Sequence, residues 1–253
     1  MNNLLFKTTD YLKDSRQSVL CIVTAVKGST PGKAGAKMIV FDDRTFEGTV
    51  GGGAVEQQVI SDAIAIIKEQ TPQSREYNLE DDLSMTCGGN ITVYFEPLKK
   101  PARLYIFGAG HIGKCLAGYT PDLGFETYLI DWREDIFEKS ENTRYIRICK
   151  PYLEAAEEIR FDSSTYCVIV TPGHDSDEDV LAAVGKKPAA YIGLIGSRIK
   201  IDALVTRFLK ENILTREELE RVDMPIGIKF NAITPAEISI SILAKLIDVR
   251  NRK

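Results

Sequence analysis

The chain contains no run of about 18 consecutive apolar residues, so no segment reads as a membrane-crossing helix. Cysteine is sparse and scattered: Cys21, Cys87, Cys115, Cys149 and Cys167 are separated by 66, 28, 34 and 18 positions. No C-x-x-C occurs, which excludes the usual zinc-ligand spacing. The odd count argues against a fully paired disulfide framework and points to a reducing, cytoplasmic setting. Histidine is scarcer still, with only His111 and His174. Positive charge is not in excess: 32 Lys plus Arg face 36 Asp plus Glu, a net charge of -4. Such a chain has no general field for nucleic acid or an anionic membrane surface, so local groups must hold any anionic ligand. The segment Met1 to Lys13 is polar and lacks the apolar core of a signal peptide. No fixed-period repeat is visible.

Across 253 residues, hydrophobic types make up 44% and charged types 27%. This is ordinary globular usage, which excludes global disorder and fits one large domain or two smaller ones. The break falls at Glu96-Pro97-Leu98-Lys99-Lys100-Pro101, where two prolines interrupt an apolar run. The reading is therefore an α/β chain: a smaller α+β domain over residues 1–98, then a C-terminal Rossmann-like parallel-sheet domain over residues 102–253. In the first part, residues 19–26, 37–41, 46–50 and 91–95 read as strands. Val55, Val59, Ile60, Ala63, Ile66 and Ile67 recur at helical spacing. In the second part, strands are expected over residues 103–107, 126–130, 145–148, 166–170 and 190–195, with helices between most of them. A last helix is expected over residues 235–248, with Thr234 as its N-cap and Pro235 in its first turn.

Gly108-Ala109-Gly110-His111-Ile112-Gly113 fits G-x-G-x-x-G, follows an apolar strand and opens a helical segment. Asp131 ends the next strand, 21 residues after Gly110. This is the context of a dinucleotide fingerprint: Gly108 for a tight turn, Gly110 for close approach of a pyrophosphate, Gly113 for helix–strand packing. The helix N-terminus would bind phosphate, and Asp131 would accept from a ribose hydroxyl, favouring NAD. Arg133 either pairs with Asp131 or favours a 2′-phosphate. Other nucleotide or pterin phosphates fit such a loop as well, and a Rossmann shape with no dinucleotide is the plainest alternative.

Loops at the carboxyl edge of a parallel sheet gather around one ligand site. Thr171-Pro172-Gly173-His174-Asp175-Ser176-Asp177 and Gly196-Ser197-Arg198 are two such loops. His174 is a candidate acid/base or metal ligand, or else a loop histidine at a helix start; Asp175, Ser176 and Asp177 are natural N-caps. His111, on the same edge, is a candidate ligand contact or else only orients the start of its helix. Arg198 could pair with a phosphate, or merely sit in a surface salt bridge.

In the first part, Gly51-Gly52-Gly53 would free backbone amides for a planar or anionic ligand, or simply make a tight turn. Glu56 could complement the helix dipole or hydrogen-bond a heterocycle. Cys87, in Met85-Thr86-Cys87-Gly88-Gly89, is a candidate thiolate, metal ligand and sulfur acceptor. Cys21 and Cys167 read as core, and Cys115 and Cys149 as packing residues.

Taken in order, Gly28-Ser29-Thr30-Pro31, Gly35-Ala36-Lys37-Met38, Gly48-Thr49-Val50-Gly51-Gly52-Gly53 and Cys87-Gly88-Gly89 resemble the N-terminal region of the XdhC/CoxI family. Phe107 to Gly113, Tyr191-Ile192-Gly193-Leu194-Ile195-Gly196-Ser197-Arg198, Pro225-Ile226-Gly227 and Thr234-Pro235-Ala236-Glu237-Ile238 resemble its C-terminal Rossmann domain. The resemblance implies an accessory factor that binds molybdenum cofactor (molybdopterin), assists its sulfuration and inserts it into a xanthine dehydrogenase-type molybdenum hydroxylase apoenzyme. By position it implicates Gly51, Gly52, Gly53, Glu56, Cys87, Gly108, Gly110, His111, Gly113, His174, Asp177, Gly196, Ser197 and Arg198. A cysteine desulfurase as sulfur source, a homodimer, and a cofactor chaperone rather than a turnover enzyme complete the expectation. The chain departs from the family pattern at Ala54, where Cys or His is frequent. It departs also at Gly32 (an arginine elsewhere), Pro172 and Asp223 (histidines elsewhere). Two other readings stand beside it: an NAD-dependent oxidoreductase with His174 as acid/base, and a nucleotide-sensing regulatory module.

Overall fold

The computed structural model describes residue 4 and residues 16–80, 89–98, 101–138 and 144–252, apart from the side chain of His174. The chain divides into two compact units, Met1–Lys100 and Pro101–Lys253.

The first unit is an antiparallel sheet with a helix on one face. Its strands β1 (Ser18–Lys27), β2 (Lys37–Phe41) and β3 (Phe46–Gly48) precede helix α1 (Gly53–Glu69); β4 (Gln73–Asn78) and β5 (Asn90–Pro97) follow it. The strand order is β3-β2-β1-β5-β4. Alternation decides the faces. Val19, Cys21 and Val23 share one face with Ile91, Val93 and Phe95 of β5, and meet the α1 stripe of Val55, Val59, Ala63 and Ile66. Burial of each larger side chain in that layer stabilises by about 1.5–3 kcal/mol. Leu20, Ile39 and Phe41 form a small cluster on the opposite face. Strand β4 was not legible from pattern: Gln73-Ser74-Arg75-Glu76 is polar and the strand lies at the sheet edge, where polar residues suppress further pairing. Asp62 lies on the buried stripe of α1, and Tyr77 donates its hydroxyl to it at 2.6 Å while Arg75 pairs with its other oxygen. A carboxylate so placed needs such partners.

The second unit is doubly wound. In chain order it comprises β6 (Ala102–Phe107), α2 (His111–Tyr119), β7 (Phe125–Ile130), α3 (Asp135–Glu138), β8 (Ile146–Ile148), α4 (Tyr152–Glu158), β9 (Thr165–Ile169), α5 (His174–Val184), β10 (Tyr191–Leu194), α6 (Arg198–Lys210), α7 (Arg216–Glu220), β11 (Val222–Asp223) and α8 (Pro235–Asn251). All strand pairs are parallel, in the order β11-β10-β9-β6-β7-β8. Counted from β6, this is the Rossmann order, and its topological switch lies between β6 and β9. Strands β9 and β10 are buried at every residue, as a sheet covered on both faces requires. Leu104, Ile106, Leu116, Ile242 and Leu246 fill the layer beneath α2 and α8. Phe107, Val180, Leu181, Ile201, Leu204 and Phe208 fill the opposite layer.

Helix α8 starts where expected, with reciprocal Thr234 and Glu237 hydrogen bonds and Pro235 in its first turn. It runs to Asn251, because no glycine or proline stops it at Asp248. The reading of Cys149 as a packing residue is corrected: the residue is exposed just past β8, its thiol 3.8 Å from the Trp132 carbonyl. Strand β8 is too short to carry it into the core.

The turn into β9 rests on Asp162. Its carboxylate accepts from the Ser164 amide (2.8 Å) and hydroxyl (2.6 Å) and from Arg103 (2.6 Å). Partial burial opposes its ionisation, yet the Ser164 and Arg103 contacts prevail and lower its pKa to about 2. The stabilisation is therefore complete above about pH 5, where the unfolded carboxyl (about 3.9) is also ionised. It is lost as pH falls through about 2. Urea unfolding of Asp162→Asn should show a deficit against the parent chain above pH 5 that closes toward pH 2. A gap independent of pH would contradict this assignment.

Candidate functional site

The parallel register aligns the ends of the central strands: Phe107 is opposite both Ile130 and Ile169, and Leu194 is opposite Ile169. The loops that follow therefore emerge together at the carboxyl edge. Residues 108–110 come from β6, residues 131–134 from β7, residues 170–173 from β9 and residues 195–197 from β10.

The three motif glycines occupy three different environments. Gly108 has φ +111°, and a Cβ there would meet the Val170 carbonyl oxygen at 2.3 Å. At Gly113 a Cβ would lie 1.8 Å from the Gly108 carbonyl oxygen, so helix and strand are in backbone contact. At Gly110 a Cβ would meet nothing within 4 Å. Gly110 is also the N-cap of α2, without a side-chain cap. First-turn amides have no acceptor inside their helix, and at the cap residue itself a side chain would meet open space. His111 is exposed at the first position of that helix.

Asp131 is fully buried. One carboxylate oxygen accepts from the Ala109 amide (2.8 Å), Arg133 Nη2 (2.9 Å) and the Tyr152 hydroxyl (3.1 Å). The other accepts from Arg133 Nε (2.9 Å) and the Arg133 amide (3.2 Å). Of the two roles open to Arg133, the structure selects the pairing with Asp131. Burial disfavours the charge on Asp131, but the Arg133 guanidinium and the two amides outweigh it and hold the carboxyl below its usual range. Burial and the adjacent carboxylate push the Tyr152 phenol up. A ribose hydroxyl could reach Asp131 only by displacing one of these donors.

Asp177 is buried and accepts from the Thr171 amide (2.9 Å) and hydroxyl (2.6 Å), which fixes the loop after β9. Gly173, with no side-chain cap, is the N-cap of α5; the residues expected as caps lie inside the helix. Ser197 caps α6, its hydroxyl accepting from the Lys200 amide at 3.5 Å. Arg198 is exposed at the first position of α6 and makes no ion pair among the described residues. Asp177, Gly196, Lys200, Ile201 and Leu204 border a cavity of about 200 Å³ between α5 and α6. A larger crevice, about 360 Å³, lies between Trp132, the start of α4 and the first turns of α5. Apart from Ser176, named only as a helix cap, its residues were not singled out from sequence. The available signal was an aromatic directly after the strand-ending Asp131.

In the first unit, Gly51, Gly52 and Gly53 all have positive φ (137°, 85° and 65°). Two of their amides are already engaged, those of Gly51 and Gly52. Glu56 takes the Gly52 amide at 3.0 Å and the Val50 amide at 3.3 Å, and also accepts from the Thr49 hydroxyl. The Gly51 amide donates to Thr49 at 3.1 Å. Glu56 thus occupies the turn as an internal anion. Cys87 lies outside the described residues.

The departures from the family pattern have local accounts. A Cβ at Gly32 would meet the Val50 carbonyl oxygen at 2.1 Å, which leaves no room for an arginine in this backbone. Ala54, second residue of α1, brings no metal-ligating atom. Asp223 accepts from the Tyr191 hydroxyl (2.6 Å) and the Gly227 amide (2.9 Å) and so braces the segment after β11. Nothing in the structure explains Pro172, which is exposed.

The glycine assignments separate experimentally. Gly113→Ala should lower unfolding free energy by about 3 kcal/mol through backbone overlap. Gly110→Ala should cost less than about 1 kcal/mol. Chemical denaturation of both variants checks this, and equal losses would refute it.

The XdhC Rossmann domain model matches residues 104–246, and the XdhC and CoxI family model matches residues 11–78. The "Uncharacterized protein YqeB" of Escherichia coli (strain K12) is 32% identical over 89% of this chain, which spans only 42% of that relative's length. A protein of Bacillus subtilis (strain 168) named as a probable xanthine dehydrogenase subunit is 23% identical, over 95% of this chain and 96% of the relative. "Molybdenum cofactor insertion chaperone PaoD" of Escherichia coli (strain K12) is 22% identical, over 94% and 85%. A crystal structure described as a xanthine dehydrogenase from Bacillus halodurans shares the fold, with TM-score 0.53, 22% identity, and coverage of 97% of this chain and 96% of that one. A Rossmann sheet with its glycine cradle, matched across the larger part of the chain by that domain's own model, establishes that this chain belongs to the XdhC/CoxI family.

Proposed function

We propose that this chain is an accessory factor that binds the phosphate-bearing pterin of molybdenum cofactor and passes it to a xanthine dehydrogenase-type molybdenum hydroxylase apoenzyme. The observation that carries the reading is the open amide cradle at Gly110, aimed from a helix N-terminus at the switch point of the sheet. It suits a dianionic phosphate, since amide donors and helix dipole favour negative charge without a net positive surface. Family membership supports it, as does likeness to a relative named for molybdenum cofactor insertion.

In this reading Gly108 and Gly113 shape the cradle, and Gly110 and His111 line it. Asp177 holds the neighbouring loop, which carries His174. Gly196, Ser197 and Arg198 offer a second anion contact, with Arg198 able to pair bidentately. Cys87 supplies the thiolate that meets sulfur or metal. Glu56 keeps the Gly51–Gly53 turn closed until a ligand competes for its amides. Sulfuration with a cysteine desulfurase as donor, a homodimeric state and a cytoplasmic setting belong to the same proposal. The saturated carboxylate of Asp131 weighs against hydride transfer with NAD.

The test is to isolate the chain from cells making molybdenum cofactor and to assay bound pterin by oxidation to its fluorescent form. Parent protein should carry pterin and activate an apo-hydroxylase. Gly110→Ala should lower pterin content about tenfold, and Cys87→Ser should keep its fold yet lose activation. No pterin and no activation with the parent protein would end the proposal.

A further inference from the structure

The cavity of about 200 Å³ between α5 and α6 has itself no part in the roles above. Its floor is apolar. Ile201 and Leu204 come from α6 and belong to the core layer on the face of the sheet opposite α2, and Leu194 closes the floor from β10. All three side chains are buried. The space equals that of about six or seven water molecules. It is smaller than the roughly 300–1,000 Å³ of drug-sized pockets, so it suits a small molecule and excludes a nucleotide.

Charges of opposite sign border this floor. One wall is the start of α6, whose first turn contains no acidic residue. Arg198 and Lys200 instead add positive charge to a helix end that the backbone dipole already makes positive. Helix stability alone favours the reverse, and of the two cations Lys200 borders the cavity. The other wall is α5, which brings Asp177 and Glu178. Asp177 is buried and accepts from the Thr171 amide and hydroxyl, while Glu178 pairs with Arg207. A carboxylate has about four lone-pair sites, so an ion pair leaves Glu178 capacity for a ligand donor. A negative group therefore matches one wall, a positive group the other, and an apolar group the floor.

We infer that this cavity is a site for a free α-amino acid with an aliphatic or thioether side chain. The carboxylate pairs with Lys200 at the positive end of α6. The ammonium donates to Glu178, and Asp177 adds a second negative charge to the same wall. The side chain covers Leu194, Ile201 and Leu204, and the apolar area removed from water drives entry. A plain carboxylic acid satisfies the basic wall and sets an apolar group against the acidic one; a plain amine does the converse. Both leave a charged wall without its counterpart, so the site selects for the zwitterion. None of these contacts uses the first-turn amides of α2, so the site is independent of pterin binding.

Full-length protein would be titrated by calorimetry with L-leucine, L-methionine, isocaproate (no ammonium) and isoamylamine (no carboxylate). Leucine or methionine should bind with a Kd of about 1 mM or tighter, and each one-charge analogue about tenfold or more weakly. Ala203 is exposed at the cavity rim, so Ala203→Phe should fill the cavity and abolish binding while the melting temperature holds. Lys200→Met should weaken leucine about tenfold and leave isoamylamine unchanged. Glu178→Gln should weaken leucine and leave isocaproate unchanged. No binding of either amino acid at about 10 mM, equal affinity for the one-charge analogues, or unchanged binding by Ala203→Phe would overturn the site. Each of these results leaves the pterin content of the parent protein as it is, so the accessory-factor proposal stands or falls separately.

Discussion

A single buried carboxylate organises the carboxyl edge of the parallel sheet. Asp131 has no solvent to share its charge, so it draws donors from three places: the glycine loop, the Arg133 guanidinium and the Tyr152 hydroxyl. Removing one partner of such a pair leaves an uncompensated charge, at a cost of about 3–5 kcal/mol. The loop after β6, the loop after β7 and the start of α4 are consequently held in one arrangement. The Ala109 amide is committed to Asp131, while the first-turn amides of α2 have no acceptor inside their helix. The glycine loop is thus held in place by the protein's own hydrogen bonds.

The same principle, a carboxylate satisfying backbone amides, has a different consequence in the first unit. There Glu56 enters the turn built by Gly51, Gly52 and Gly53 and takes the Val50 and Gly52 amides, two donors that an external anion would use. Three successive positive φ values make that turn possible, and only glycine adopts them without strain. One glycine-rich turn is open and the other is closed by its own helix. Counting glycines does not distinguish them. The difference is whether an acid lies within reach: Glu56 sits in the first turn of α1, while the first turn of α2 contains no acidic residue.

Much of the architecture was legible because it follows from short-range pattern. Short apolar runs mark β1, β6 and β9, β-branched in the first and last. The Thr234-Pro235-Ala236-Glu237 start of α8 carries its own cap. The spacing from Gly110 to Asp131 marks a strand–helix–strand unit. What pattern missed was polar, brief or dependent on a distant neighbour. Strand β4 pairs because β5 offers an edge, and β11 has two residues. Cys149 escapes the core because β8 stops before it. Trp132 and Asp179 line one crevice although 47 positions separate them in the chain.

The sequence by itself determined the two classes of unit, the position of the phosphate-type loop and the family motifs, since each depends on contacts or backbone conformations a few residues long. Only the tertiary structure decided which polar groups are already engaged. Asp131 and Glu56 read as ligand-facing acids in one dimension; folding surrounds the first with donors from the glycine loop and the start of α4 and bends the second onto its own turn. A hydrogen-bonding group offers a limited number of acceptor sites, and how many remain for a ligand depends on neighbours that only the packed chain brings within about 3 Å.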